Sequence, residues 1–521
     1  MGREKGFFQK TFLSAEINAG GIPMASEMLQ KARDFEQEYM SYALSEQPKF
    51  HVTGGIGWIN DPNGFSIYRG EYHLFFQYYP YDTKWGPMHW GHVKTKDFIR
   101  WERLPTAMAP DQEYDKDGCY SGSAIELPDG RQLLLYTGVR AVRRPDGVVD
   151  GFQTQCAAIG DGVDYEKLPG NPIITAEDIP EGGSPLDFRD PKIWKEQDTY
   201  YMVVGNRPAD GSGSVLVYRS MDALHWTYSG VLSACHNQYG RMWECPDFFH
   251  LDGKAVLLVS PQEMNAIGLE FHPGNANVCL IGSYDRQNYH LNRENVQAID
   301  YGLDFYAPQT LETTDGRRVM IAWMQNWETA SCRIESLRFF GQMTVPRELR
   351  VRNGRLYQNP VRELEAYRGL KIAYNNVLVC GETTLQGISG RVLDLTVSIR
   401  PGNQQDLYHR FRMNVAKDGQ RFTSIRYKPS AGTIRVDRTH SGFPHDIVSI
   451  REFLVTPRQG QLKLRIIMDR YSLELFVNDG EQAASFVLYT PETADAISFE
   501  TEGAVLMDVE KYELQFDEEC K

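Results

Sequence analysis

The sequence predicts an all-β protein: a five-bladed β-propeller followed by a C-terminal β-sandwich, with a short N-terminal helical segment. Three observations lead there. Short apolar strands recur about every 60 residues, as YHLFFQY near Leu74, RQLLLYTG near Leu134, TYYMVVGN near Met202, KAVLLVSP near Leu257 and RRVMIAWM near Met320. A second series interleaves at the same period. KTKDFIRWE, GDGVDYEKL, SMDALHWTY and SYDRQNYHL each set a turn acid (Asp97, Asp161, Asp222, Asp285) ahead of an aromatic (Trp101, Tyr165, Trp226, Tyr289). Beyond Leu370 the repeat is gone, and strands simply alternate with turn signals.

Taken in order, the first element is helical. From Ala25 to Leu44 the residues Met28, Leu29, Ala32, Phe35, Tyr39 and Ala43 recur at three- and four-residue steps, with Ser26 as N-cap and Pro48 closing the pattern. The repeat that follows has room for about four strands and no helix per period, which fits propeller blades; a β-solenoid coil needs a much shorter period. Five copies give five blades, ending near Pro346 after FGQMTVP. RELRVRNGRLYQNPVRELEAYRG then reads as a strand, a turn and a short helix joining two units. The expected division is 1–47 extension, 48–347 propeller, 348–368 linker and 369–521 sandwich. In the last part RVLDLTVSIRPG, FTSIRYKPSAGTIRVDRT and LKLRIIMDRYSLELFVNDGEQAASFVLY read as strands, and Asp479-Gly480 is a hairpin signal.

Bulk properties narrow the function. The 521 residues exceed one ordinary domain, and 41% hydrophobic with 24% charged residues is a soluble globular composition. A net charge of −14 argues against nucleic acid and anionic membrane surfaces as partners and suits a neutral substrate. No apolar window of about 18 residues occurs, so no membrane helix is expected. MGREKGFFQKTFLSAEINAGG lacks the apolar stretch of a secretory signal, and Met24 is an alternative start. The eight cysteines are dispersed without C-x-x-C spacing, against a disulfide framework or zinc site, and the expected location is cytoplasmic. Homo-oligomer formation is left open. The 12% aromatic content suits strands and core, and ring faces also stack on sugars.

Three acidic motifs stand out in the propeller half: Trp58-Ile59-Asn60-Asp61-Pro62-Asn63-Gly64, Phe188-Arg189-Asp190-Pro191 and Trp243-Glu244-Cys245-Pro246-Asp247-Phe248-Phe249. Each sets a carboxylate beside a proline at the N-terminal edge of an inner strand. Taken singly, each reads as a turn acid accepting backbone hydrogens. Together, in equivalent positions of three blades, they converge on one axial funnel. Glycoside hydrolysis needs such a group: one carboxylate attacks or stabilises while another protonates the leaving oxygen.

WINDPNG, FRDP and ECPDFF, in this order, resemble the three signatures of glycoside hydrolase family 32, the invertase and fructanase family. The resemblance extends to YHLFFQYYP, MHWGHVKTKDFIRWERLP, YSGSA at Tyr120–Ala124 and MDRYSLELFVNDGE at Met468–Glu481. MHWGH and YDKDGCYSGSA are most similar to the bacterial sucrose and sucrose-6-phosphate hydrolases, and only the N-terminal helix region lies outside the pattern. The resemblance implies a propeller plus sandwich and release of terminal β-fructofuranosyl residues from small fructosides, with no cofactor and no catalytic metal. It makes Asp61 the nucleophile, Glu244 the acid/base and Asp190 the stabiliser of the transition state. Asn60 would help keep Asp61 ionised, while Trp243, Cys245 and Phe248 would favour protonated Glu244 by desolvation. Retention would place the two carboxyls about 5–5.5 Å apart.

Further substrate contacts are expected from Asn60, Gln77, Ser121 and Arg189 as hydrogen-bonding groups and from Trp58, Trp85 and Trp323 as ring contacts or walls. Arg189 is equally readable as a structural ion pair and Trp323 as core. His89 and His92 are read as hydrogen-bonded structural residues. Fructosyl transfer to another sugar would use the same acids, and a carbohydrate-binding protein without activity would be free to lose them.

Overall fold

The computed structural model describes residues 25–402, 407–442, 448–456 and 458–516. Met24, the segment before it and Cys520 lie outside these. Five antiparallel four-stranded blades are present. Blade 1 comprises Gly57–Tyr68, Glu71–Tyr79, His89–Thr95 and Glu102–Met108; blade 2 Gly118–Glu126, Gln132–Arg143, Val149–Gly160 and Tyr165–Lys167. Blade 3 comprises Phe188–Glu196, Thr199–Asn206, Ser214–Ser220 and Thr227–Ala234; blade 4 Trp243–Leu251, Lys254–Pro261, Val278–Asp285 and His290–Ala298. Blade 5 is Tyr306–Glu312, Arg318–Trp323, Arg347–Arg352 and Arg355–Pro360. The first strands of successive blades touch one another, and that of blade 5 returns to that of blade 1. Phe339–Phe340 closes the ring by pairing in parallel with Gly57–Trp58.

The apolar runs that set the period are the second strands. They lack hydrophobic alternation because both faces of a blade are covered. Leu133 and Leu135 pack toward blade 3, while Leu134 and Tyr136 pack toward blade 1. In blade 4, Leu257 and Val259 face blade 3, while Val256 and Leu258 face blade 5. Truncating one such leucine to alanine costs about 2–5 kcal/mol. The acids of the second series sit in the turns between third and fourth strands. There Asp97, Asp161, Asp222 and Asp285 each accept two backbone N–H groups from the residues two and three ahead.

The segment expected to link the two units does something else. Arg347–Arg352 and Arg355–Pro360 are the outer strands of blade 5, burying Leu349, Val351 and Leu356 against blade 4. They lie beyond the connection 324–346 and turn at Asn353-Gly354, both at positive φ, instead of at an Asp turn, so the period hides them. Only the 3₁₀ turn Arg362–Tyr367 joins this blade to the C-terminal part.

Among the described residues that part has ten strands. Ala496–Leu514 pairs along its length with Arg368–Thr383, and in turn with Arg410–Lys417 and Leu393–Pro401. The strands following each of these two form separate layers. Their inner faces, Phe411, Met413, Ile425 and Val436 on one side and Leu395, Val397, Leu464 and Leu475 on the other, share one core. The helix is Glu27–Tyr39, capped by Ser26, whose Oγ accepts Leu29 N–H at 3.2 Å, and a 3₁₀ turn Met40–Glu46 follows. Its inner face is Leu29, Ala32 and Glu36, while Met28 and Tyr39 are exposed.

Candidate active site

The funnel residues owe their placement to one backbone device. In all five inner strands the register against the second strand slips near the N-terminal end: between Ile59 and Pro62, Tyr120 and Gly122, Arg189 and Lys192, Glu244 and Asp247, and Tyr306 and Gln309. A bulge leaves one residue out of the ladder and re-aims its side chain. Proline suits the unpaired position, having no N–H to lose. Pro191, Pro246 and Pro308 lie in these slips, and Pro62, in register with Phe76, closes the first. The residues before three of them, Asp190, Cys245 and Ala307, have φ of 68°, 48° and 51°. Alanine and cysteine rarely sit in the left-handed region, so this conformation is held by its surroundings.

Three carboxylates from three blades meet here. Asp61 Oδ1 accepts Asn60 Nδ2 at 3.0 Å, and Oδ2 accepts Ser121 Oγ at 2.7 Å and Cys245 Sγ at 3.5 Å. Asp190 Oδ2 accepts Cys245 N at 2.8 Å and lies 3.7 Å from Cys245 Sγ, while Asp190 N donates to Thr137 Oγ1 at 3.0 Å. Glu244 Oε1 accepts Arg189 Nε at 3.1 Å, and Oε2 accepts the Tyr306 hydroxyl at 2.5 Å. Arg189 also holds Asp187 at 2.9 Å and Gln153 at 3.3 Å. It is thus both an ion-paired residue and part of the group.

Burial raises the pKa of Asp61, with the Glu244 charge adding to it and the hydrogen bonds from Asn60 and Ser121 opposing. Burial likewise raises Asp190, to about 7: Arg189 opposes the rise, and the charges of Glu244 and Asp61 reinforce it. The side chains expected around Glu244 are elsewhere. Trp243 and Phe248 are buried in the core between blades 3 and 4, and Cys245 faces Asp61 and Asp190.

The other sequence candidates divide. Asn60 joins Asp61 to Trp58, whose Nε1 donates to Asn60 Oδ1 at 2.8 Å. Ser121 touches Asp61 directly. Gln77 is buried and donates to Cys119 O at 3.0 Å, one layer behind. Trp58 and Trp323 present no open face: they are 2% and 0% exposed and form the wall with Phe340 and Trp327. Trp85 is 47% exposed, edge-on to Tyr120 at 6.4 Å. His89 is bonded to Pro87 O and His92 to His73, each at 2.9 Å. Tyr306, Asp187, Gln153 and Thr137 were not legible as site residues. Tyr306 had a signal: Tyr306-Ala307-Pro308 is the blade 5 copy of the residue–proline slip that carries Asp190 and Cys245.

Residues 51–360 match the family model described as glycosyl hydrolases family 32 N-terminal domain, and 363–515 match the family 32 C terminal. The chain is 34% identical to a sucrose-6-phosphate hydrolase of Escherichia coli, covering 88% of this chain and 93% of that protein. It is 36% identical to a raffinose invertase of Escherichia coli, with 85% and 89% covered. It also superposes with a TM-score of 0.79 and 31% identity on a mutant family 32 β-fructofuranosidase of Bombyx mori in complex with sucrose, covering 94% of this chain and 99% of that one.

Proposed function

Because the chain belongs to glycosyl hydrolase family 32, we propose that it is a β-fructofuranosidase that releases terminal β-D-fructofuranosyl residues from sucrose, sucrose-6-phosphate or short fructo-oligosaccharides. The observation that carries the assignment of roles is the convergence of Asp61, Asp190 and Glu244 from three blades around Cys245, with Arg189 and Tyr306 on the Glu244 carboxyl.

In this reading Asp61 attacks the anomeric carbon of the fructosyl unit. Its Oδ2, held by Ser121, and its Oδ1, held by Asn60, cannot swing away, which keeps the nucleophile near its line of attack. Glu244, whose side chain retains 15% exposure, gives its proton to the leaving oxygen and then takes one from the incoming water. Arg189 and Tyr306 each hold one of its oxygens, so the carboxyl returns to the same place for the second step. Asp190 faces the sugar hydroxyls. When ionised, its carboxylate offsets the positive charge of a ring gaining oxocarbenium character. No cofactor enters. The leaving group ranges over glucose, glucose 6-phosphate and fructose, and the cytoplasmic assignment belongs to the same proposal: the described cysteines are free thiols.

The test is incubation with sucrose, sucrose-6-phosphate, kestose, inulin and levan, quantifying fructose and glucose species, with Asp61→Asn as the blank. From sucrose and sucrose-6-phosphate, fructose is expected in amounts equal to glucose or glucose 6-phosphate, with release falling by about three orders of magnitude or more in the variant. A fructose deficit would mean transfer. No release from any fructoside overturns the proposal.

A further inference from the structure

Among the described residues the C-terminal unit contributes no side-chain hydrogen bond to the three carboxylates, yet it reaches the wall behind them through a buried acid. Asp304, in the connection between blades 4 and 5, is fully buried. Its Oδ2 accepts Arg438 Nη1 at 2.5 Å and Val487 N at 2.8 Å, both from the C-terminal sheet. Its Oδ1 accepts the Thr329 hydroxyl at 2.9 Å. Thr329 ends the turn Asn326–Thr329: its own N–H donates to Asn326 O at 3.0 Å, and its Oγ1 accepts Asn326 N–H at 3.2 Å. Gln325 Nε2 adds bonds to Thr329 O and Oγ1 at 2.9 and 3.0 Å.

This turn carries Trp327 into the site. The Trp327 ring stacks on Trp58 with centroids 6.0 Å apart and meets Trp323 edge-on at 5.2 Å. Trp58 in turn holds Asn60, the partner of Asp61. Tyr306 and Cys245, which hold Glu244 and Asp190, belong to the same apolar cluster as these tryptophans. A carboxylate in so dry a place is costly unless its donors stay in place, so the geometry of Asp304 is rigidly set by Arg438. Arg438 is itself clamped, donating to Val487 O at 2.9 Å and stacked on Phe486 and Tyr489.

We propose that Arg438 is a positioning residue for the propeller's active site, acting through Asp304 and Thr329 to fix the turn that seats Trp327 against Trp58. This rests on the reading of the Asp61 centre as a fructoside-cleaving site. The turn shapes the wall of the pocket and does not touch the reacting bond, so its displacement weakens binding more than chemistry. Steady-state kinetics on sucrose and near-ultraviolet circular dichroism of the stacked tryptophans are compared in Arg438→Met, Arg438→Lys, Thr329→Val and Trp327→Leu. Thr329→Val cuts the same relay from the propeller side with nearly unchanged volume, and so covers the case in which Arg438→Met does not fold.

Thr329→Val and Arg438→Met are each expected to raise KM about tenfold with kcat within about twofold, and to weaken the dichroism that Trp327→Leu removes. Arg438→Lys is expected to restore part of both. Wild-type KM and an unchanged dichroism spectrum in Thr329→Val and Arg438→Met, whatever their melting temperatures, overturn the proposal. If the wild-type chain releases no fructose at all, the reading of the site falls, and the dichroism alone decides whether the relay holds the turn.

Discussion

Tyr306 and Arg189 take one oxygen each of Glu244, so the acid that the sequence sets among apolar neighbours is in fact aimed by a phenol and a guanidinium. Removing the phenol should leave the fold intact and the acid/base misdirected. Tyr306→Phe is expected to lower kcat for sucrose about 10- to 100-fold with little change in KM, read in steady-state kinetics. Asp190 offers a separate test through stability. Its folded pKa of about 7 lies above the ordinary aspartate value of 3.8, so the folded state binds more protons between these limits. The stability it supplies is complete below about pH 4 and is lost as pH rises through 7. Asp190→Asn should therefore abolish activity while raising the melting temperature more at pH 8 than at pH 5; an equal change at both would contradict the buried charge. The three acids were legible because a proline follows two of them directly and stands two residues after the third. Their donors were less so, since Thr137, Gln153 and Asp187 lie in segments with no motif, brought in only by the ring closure.

At the level of elements, the propeller was legible because each blade repeats two chemically distinct signals. Apolar second strands are covered on both faces, and an aspartate turn closes the outer hairpin. Where the second signal is missing, in blade 5, the outer strands Arg347–Arg352 and Arg355–Pro360 were read as a linker. The inner-strand slips were half legible. The prolines marked them, but the positive φ at Asp190, Cys245 and Ala307 follows from packing around the funnel and leaves no trace in composition. The aspartate turns are local devices and should behave as such. Asp222 Oδ1 accepts Leu224 N at 3.0 Å and His225 N at 2.9 Å, far from the funnel. Asp222→Ala is expected to cost about 1–2 kcal/mol in denaturant unfolding and to leave sucrose kinetics unchanged.

Across the whole molecule, the C-terminal signature Met468–Glu481 finds its physical reason at the interface. Its Asp469 and Glu474 are fully buried and grip His51, at 3.0 Å to Nδ1 and 3.0 Å to Nε2, at the entrance to the propeller. Glu474 also binds Arg347 at 2.5 Å, and Arg347 reaches Asp300 at 2.8 Å. The two units approach so closely that a Cβ on Gly302 would lie 2.0 Å from Ser485 O. The pairing of these acids with His51 leaves no mark in the sequence, because the partners lie 418 and 423 residues apart in the chain. Burial by itself would push the His51 pKa down, but the hydrogen bonds and charges of Asp469 and Glu474 raise it to about 9. His51 therefore folds as a cation, and its stabilising contribution is complete below its ordinary value of 6.5 and lost as pH rises through 9. Denaturant unfolding between pH 6 and 9.5 should show stability falling over that window. His51→Asn should lower it by about 3–5 kcal/mol at pH 6, since two buried carboxylates lose a shared cation. The variant's deficit should shrink toward pH 9.5, where the wild-type imidazole has lost its proton as well. Parallel curves for the two proteins would mean that the charge on His51 does not hold the interface.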